Sequence, residues 1–112
     1  MFNRIVKAEA ERVSLPELQK LLQGQLAHWT QRDDRLIREV KFNDYQATWA
    51  FLTQVSMRAH LWGHHPTITT TYTSVKLELQ THDLLRDNVP APGVSNIDIK
   101  LAKQIEKYIT KT

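Results

Sequence analysis

Residues 43–83 read NDYQATWAFLTQVSMRAHLWGHHPTITTTYTSVKLELQTHD, and this stretch decides the fold. Its apolar residues recur first at a helical period and then at alternate positions. Thr48, Leu52, Val55, Ala59 and Trp62 return at three- and four-residue steps, which predicts a helix over residues 43–62 entered at Asn43 or Asp44. Trp49 and Phe51 widen the apolar face, as expected of a helix packed on a sheet. Gly63 and Pro66 end it. Further on, Val75, Leu77, Leu79 and Thr81 point one way, while Ser74, Lys76, Glu78, Gln80 and His82 point the other. That is the alternation of a strand with one buried face. Residues 67–71 read either as an earlier part of the same ribbon or as a separate short strand.

The flanks extend the pattern. Ser14-Leu15-Pro16-Glu17 is a helix start: the serine hydroxyl can accept from first-turn amides, Glu17 can reach back, and proline is tolerated there. Leu15, Leu18, Leu21 and Leu22 form one stripe, predicting a helix over residues 14–25. Residues 28–42 read as a hairpin turning at Asp33-Asp34, with Leu36, Val40 and Phe42 on one parity. Residues 84–94 hold Asp87-Asn88, Pro90, Pro92 and Gly93 and read as a long loop. Ser95-Asn96-Ile97-Asp98 caps a last helix whose stripe is Leu101, Ala102, Ile105, Tyr108 and Ile109. Lys103, Lys107 and Lys111 suit its solvent face and its negative end. Helices alternating with antiparallel strands give an α+β fold, an antiparallel sheet with helices packed on one face.

Composition narrows the function classes. A chain of 112 residues fits a single domain, 1–112. It holds 15 Lys+Arg, 12 Asp+Glu and no cysteine, for a formal charge of +3. Absent cysteine excludes a disulfide scaffold, a thiolate metal site and a cysteine nucleophile. The cations are interleaved with acids, as in Arg32-Asp33-Asp34-Arg35, so no one-sided stripe points to direct nucleic-acid binding. No apolar run approaches the roughly 18 residues of a membrane span. The first 13 residues carry Arg4, Lys7 and Arg12, but also Glu9 and Glu11. Transit peptides are poor in acids, so the expected compartment is the cytosol, with the mitochondrion second.

Four of the five histidines lie between positions 60 and 82. Histidine moves protons both ways near neutral pH, so His60, His64, His65 and His82 suggest acid/base work or metal binding. His60 and His64 have the i, i+4 spacing of two ligands on one helical face, and His82 could supply a third. However, Gly63 should break the helix between them, and no carboxylate lies close by as a base. The expectation is therefore no metal. His28 reads as a surface residue. Trp49, Phe51 and Trp62 read as core, and Trp29 as either core or site. Tyr72 reads as a sheet-packing residue whose hydroxyl could reach a site.

The spacing His60-x3-His64-His65-Pro66-x5-Tyr72-x9-His82-x15-Asp98 resembles that of the pterin-4a-carbinolamine dehydratases, also called dimerisation cofactors. Trp29, Phe42, Asp44-Tyr45, Phe51-Leu52-Thr53, Thr81-His82 and Ser95-x2-Asp98-Ile99-x-Leu101-Ala102 extend the likeness over roughly residues 14–110. The resemblance implies a four-stranded antiparallel sheet with three helices packed on one face, assembled as a homodimer or homotetramer. It implies removal of water from a 4a-hydroxytetrahydropterin to give quinonoid dihydropterin, with no metal or organic cofactor. His64, His65 and His82 would be the catalytic histidines. His64 and His82 would be the acid/base pair, and His65 more concerned with orientation. His60, Thr81 and Asp98 would contact substrate, although Asp98 reads equally as a helix cap. Some animal members also bind a homeodomain transcription factor, and a catalytically weak pterin-binding protein is a further reading. The sequence departs from the family pattern at three places: His60 stands where glutamate is common, Gly63 where a short polar residue is usual, and the loop after His82 is longer.

Overall fold

The computed structural model describes residues 9–86 and 88–111. Most of the N-terminal segment read for an address signal, with Arg4 and Lys7, lies outside the described residues, as does Asp87 of the loop. The elements run α1 (Leu15–Leu22), β1 (Thr30–Arg32), β2 (Arg35–Lys41), α2 (Tyr45–Leu61), β3 (Thr67–Thr71), β4 (Ser74–Leu79), β5 (Leu85–Arg86), β6 (Val89–Pro90) and α3 (Asn96–Lys111). The main sheet is antiparallel throughout, in the order β1-β2-β4-β3. This is the α+β architecture the periodicities predict.

One face of the sheet makes the core. Leu36 of β2 pairs with Leu79 of β4, and Leu79, Leu77 and Val75 alternate inward. Thr48, Phe51, Leu52, Val55 and Ala59 of α2 and Ile99, Leu101, Ala102 and Ile105 of α3 are buried in the same core region. The inner face also carries one charge. Arg38 reaches Glu106 of α3 at 2.7 Å, and that carboxylate also accepts from the indole N–H of Trp29 at 2.7 Å. Trp29 is 3% exposed and is therefore core.

Local chemistry explains the turns. Asp33 and Asp34 both have positive φ, 52° and 63°. A two-residue hairpin of that handedness matches strand twist, and aspartate tolerates it. Residues 67–83 are not one ribbon. The chain reverses at Tyr72-Thr73, with Tyr72 at φ 53° and its ring stacked on Tyr45, centroids 6.3 Å apart. Tyr72 is thus a turn residue exposed to solvent rather than a sheet-packing one.

Three further expectations need correction. Trp49 is 46% exposed and lies against Tyr45, outside the core. α1 stops at Leu22, because Gly24 and the Leu26 N–H to Leu21 C=O bond of 2.8 Å turn the chain under and bury Leu26. The 84–94 loop contains the small β5–β6 ribbon and is anchored at both sides. Thr81 and Gly93 exchange backbone bonds of 2.9 and 3.0 Å, and Val13 donates to Val94 at 3.0 Å. Gly93 leaves room for the Arg12 guanidinium, which donates to Ala91 C=O at 3.0 Å; a Cβ there would sit 2.1 Å from it and displace that side chain.

The fully buried Phe51, in ring contact with Phe42 at 4.8 Å, anchors α2 in the core. Phe51→Ala is expected to cost about 3–5 kcal/mol through lost burial and the cavity left behind. Urea denaturation followed by circular dichroism checks this; a loss below about 1 kcal/mol would contradict the packing.

Candidate active site

The site begins where α2 ends. Trp62 caps the helix, and Gly63 follows at φ 64°. Gly63 N–H donates to His60 C=O at 3.0 Å and His64 N–H to Ala59 C=O at 3.0 Å. This pair of bonds is the Schellman closure, whose left-handed position favours glycine. The departure at position 63 therefore has a backbone purpose: it reverses the chain and delivers two histidines to the rim of the core.

The two rings diverge. His64 turns inward, and its Nε2 bonds Oδ1 of Asp98. Asp98 is 0% exposed. Its other oxygen, Oδ2, accepts from Thr81 Oγ1 at 2.8 Å and from the Ser95 N–H at 2.9 Å. Each hydroxyl has one hydrogen to give. With the Thr81 hydrogen on Asp98, the Ser95 hydroxyl donates to Thr81 Oγ1 at 2.7 Å. Ser95 Oγ in turn accepts from Asp98 N–H at 3.4 Å. Asp98 is thus both the capping acid of α3 and the partner of His64, one oxygen for each role. As a carboxylate it accepts from Nε2–H, which fixes the His64 tautomer and leaves Nδ1 without a protein partner among the described residues.

His65 points outward, its Nε2 3.3 Å from His60 Nδ1. Thr81 faces inward on the β4 parity, so the next residue, His82, is exposed; its ring has no protein partner among the described residues. His64, His65, Thr81 and His82 line one cleft of about 310 Å³ with Trp62 and Ile97 among its other walls. That volume is at the small end for ligand pockets. Asp98 lies beneath this wall, and His60 stands at the side of His65. Ser95, read from sequence only as a cap, is the missed member: it is 0% exposed and joins Thr81 to Asp98. The signal for it was available, since a capping box places Ser95 against Asp98 and parity turns Thr81 inward.

No group of three or more His, Asp or Glu side chains converges on one point among the described residues. His60, His64 and His82 are not brought together, because the Nε2 of His64 is committed to Asp98. His28 is exposed at the surface. Among the described residues no helix is long and apolar enough to cross a membrane.

The model of the Pterin 4 alpha carbinolamine dehydratase family matches residues 11–108. A Saccharomyces cerevisiae protein is 45% identical over 116 residues, covering 97% of this chain and 96% of the relative. A Synechococcus sp. (strain WH7803) protein is 36% identical over 93 residues, covering 82% and 92%. Both bear the name pterin-4-alpha-carbinolamine dehydratase, and both bear it provisionally. The crystal structure of a transcriptional coactivator/pterin dehydratase from Brucella melitensis superposes with a TM-score of 0.74 at 28% identity, covering 88% of this chain and 98% of that one.

Asp98→Asn keeps the shape of the network but gives it an amide NH2. That group must face either His64 Nε2–H or the Thr81 and Ser95 donors. The expected cost is about 1–3 kcal/mol. A chemical-denaturation midpoint unchanged from wild type would refute the charged network.

Proposed function

This chain belongs to the pterin-4a-carbinolamine dehydratase family, and from that premise we propose that it dehydrates a 4a-hydroxytetrahydropterin by histidine acid/base catalysis. The observation that carries the reading is the cleft itself. One imidazole, His64, is held by a buried carboxylate, and a second, His82, lines the same cleft with no protein partner among the described residues.

The reaction asks for two proton transfers. The C4a–O bond breaks as the leaving oxygen takes a proton and departs as water. Nitrogen 5 gives up its proton, and its electron pair forms the new C4a=N5 bond. Groups that titrate near ambient pH serve both steps. His64 is fixed in orientation by Asp98, as the base–orienter logic of acid/base sites requires. His82 is the second proton carrier. His65 and Thr81 border the substrate, with His60 supporting His65, and Asp98 works through His64. No metal or organic cofactor enters the reaction.

Self-association as a homodimer or homotetramer belongs to the same proposal. Trp49 and Met57 of α2 are 46% and 62% exposed, an apolar surface that a partner copy would cover. This surface also favours a second reading, a protein-binding role like the coactivator role named for the Brucella melitensis structure. Size-exclusion chromatography with light scattering separates the two: a monomer under dehydratase assay conditions leaves only the second.

The decisive assay generates the carbinolamine with an aromatic amino acid hydroxylase and follows its dehydration with and without this protein. Acceleration is expected. His64→Ala and His82→Ala should each lower turnover by about 10²–10⁴ while leaving the far-UV circular dichroism unchanged. If both variants keep the wild-type rate, histidine catalysis at this cleft is wrong. Tight pterin binding without acceleration would leave a pterin-binding protein.

A further inference from the structure

The Asp98 network leaves one pair of histidines outside it. His60 sits in the last turn of α2 and His65 just past the Gly63 reversal, and both are exposed. The reversal folds His65 back over the helix end. His60 Nδ1 and His65 Nε2 then stand 3.3 Å apart, with ring centroids at 5.5 Å and ring planes at 57°. Neither ring has another protein partner among the described residues.

Two neutral imidazoles in this position can share one proton, one ring donating and the other accepting. The same two nitrogens can instead share a metal ion, and the separation bears on which geometries they can reach. Two zinc–imidazole bonds of about 2.0–2.1 Å, opened to the tetrahedral angle, hold their nitrogens about 3.3–3.4 Å apart. A square-planar pair of similar bonds, as copper(II) prefers, holds them at about 2.8–3.0 Å. At 3.3 Å the two nitrogens already stand within reach of one tetrahedral ion, with no change in the backbone.

We propose that His60 and His65 form a two-ligand site for a tetrahedral divalent cation, Zn²⁺, with water in the remaining positions. The site uses His60 Nδ1 and His65 Nε2, so it leaves His64 bonded to Asp98. It forms because residue 60 is a histidine, with a ring nitrogen to offer beside His65. Because His65 also lines the cleft, a bound ion fixes that ring and adds positive charge at the cleft mouth. Zn²⁺ is then a reversible inhibitor of pterin entry. This last consequence rests on the proposed dehydration; the ion binding does not.

The test titrates ZnCl₂ into the pterin-free protein, read by isothermal calorimetry and by NMR of the histidine ring signals. The expected result is one ion per chain, with the ring signals of His60 and His65 shifting first. His60→Gln and His65→Gln should each weaken binding at least about tenfold, since even losing an outer-shell partner costs about 10–100-fold. His28→Gln should bind as wild type does. Affinity unchanged in His60→Gln and His65→Gln, or no saturable binding to the wild type, overturns the site. In the dehydration assay, zinc should inhibit wild type and lose at least about tenfold in potency on His60→Gln. A protein that binds zinc through these two residues yet never accelerates dehydration would keep the site and sink the dehydratase reading.

Discussion

Everything around the cleft depends on keeping one buried carboxylate satisfied. A charge with no exposure to water is unfavourable by several kcal/mol unless paired and hydrogen-bonded. Asp98 meets that condition with donors from three places in the chain: Thr81 just past β4, Ser95 at the cap of α3, and His64 after the α2 reversal. None of the three can shift without leaving a buried acceptor short of a donor. The carboxylate therefore fixes the relative positions of a strand end, a helix start and a helix end. It also fixes the orientation of the imidazole that the proposed chemistry uses, so stability and site geometry rest on the same atoms.

Much of this was legible in the sequence because it follows from local periodicity. The inward parity of Val75, Leu77, Leu79 and Thr81, the cap at Ser95 and the hairpin at Asp33-Asp34 all came from neighbours a few residues apart. The turn at Tyr72 was hidden because neither Tyr72 nor Thr73 is a turn former; a tertiary stack on Tyr45 accompanies its left-handed backbone. Trp49 was misassigned because α2 carries two apolar stripes. Thr48, Leu52, Val55 and Ala59 form one, and Tyr45, Trp49 and Met57 the other. Periodicity finds stripes but cannot say which faces the sheet. The double use of Asp98 was half legible: the motif offered cap and site as alternatives, and only three dimensions assign one oxygen to each.

The adjacent histidines show how little sequence distance constrains environment. His64 enters a buried network while His65 stays in solvent beside His60, because Gly63 turns the backbone between helix and strand. One imidazole is held by a buried carboxylate and the other by an exposed histidine. In the proposed reaction the first ring carries a proton and the second borders the substrate.

The strap formed by residues 11–13 has its own place in the order of folding. Its bonds join residues 79 and 85 positions apart, Arg12 to Ala91 and Glu11 to Asn96. Such contacts bear the full loop-closure entropy of the chain and are favoured only once the intervening sheet and helices have formed. Helices α2 and α3 and the two hairpins can assemble before it. The strap can therefore come away from Ala91 and Asn96 without the sheet or the helices unfolding. Molecules caught before it docks would carry a formed core and an unfastened first segment.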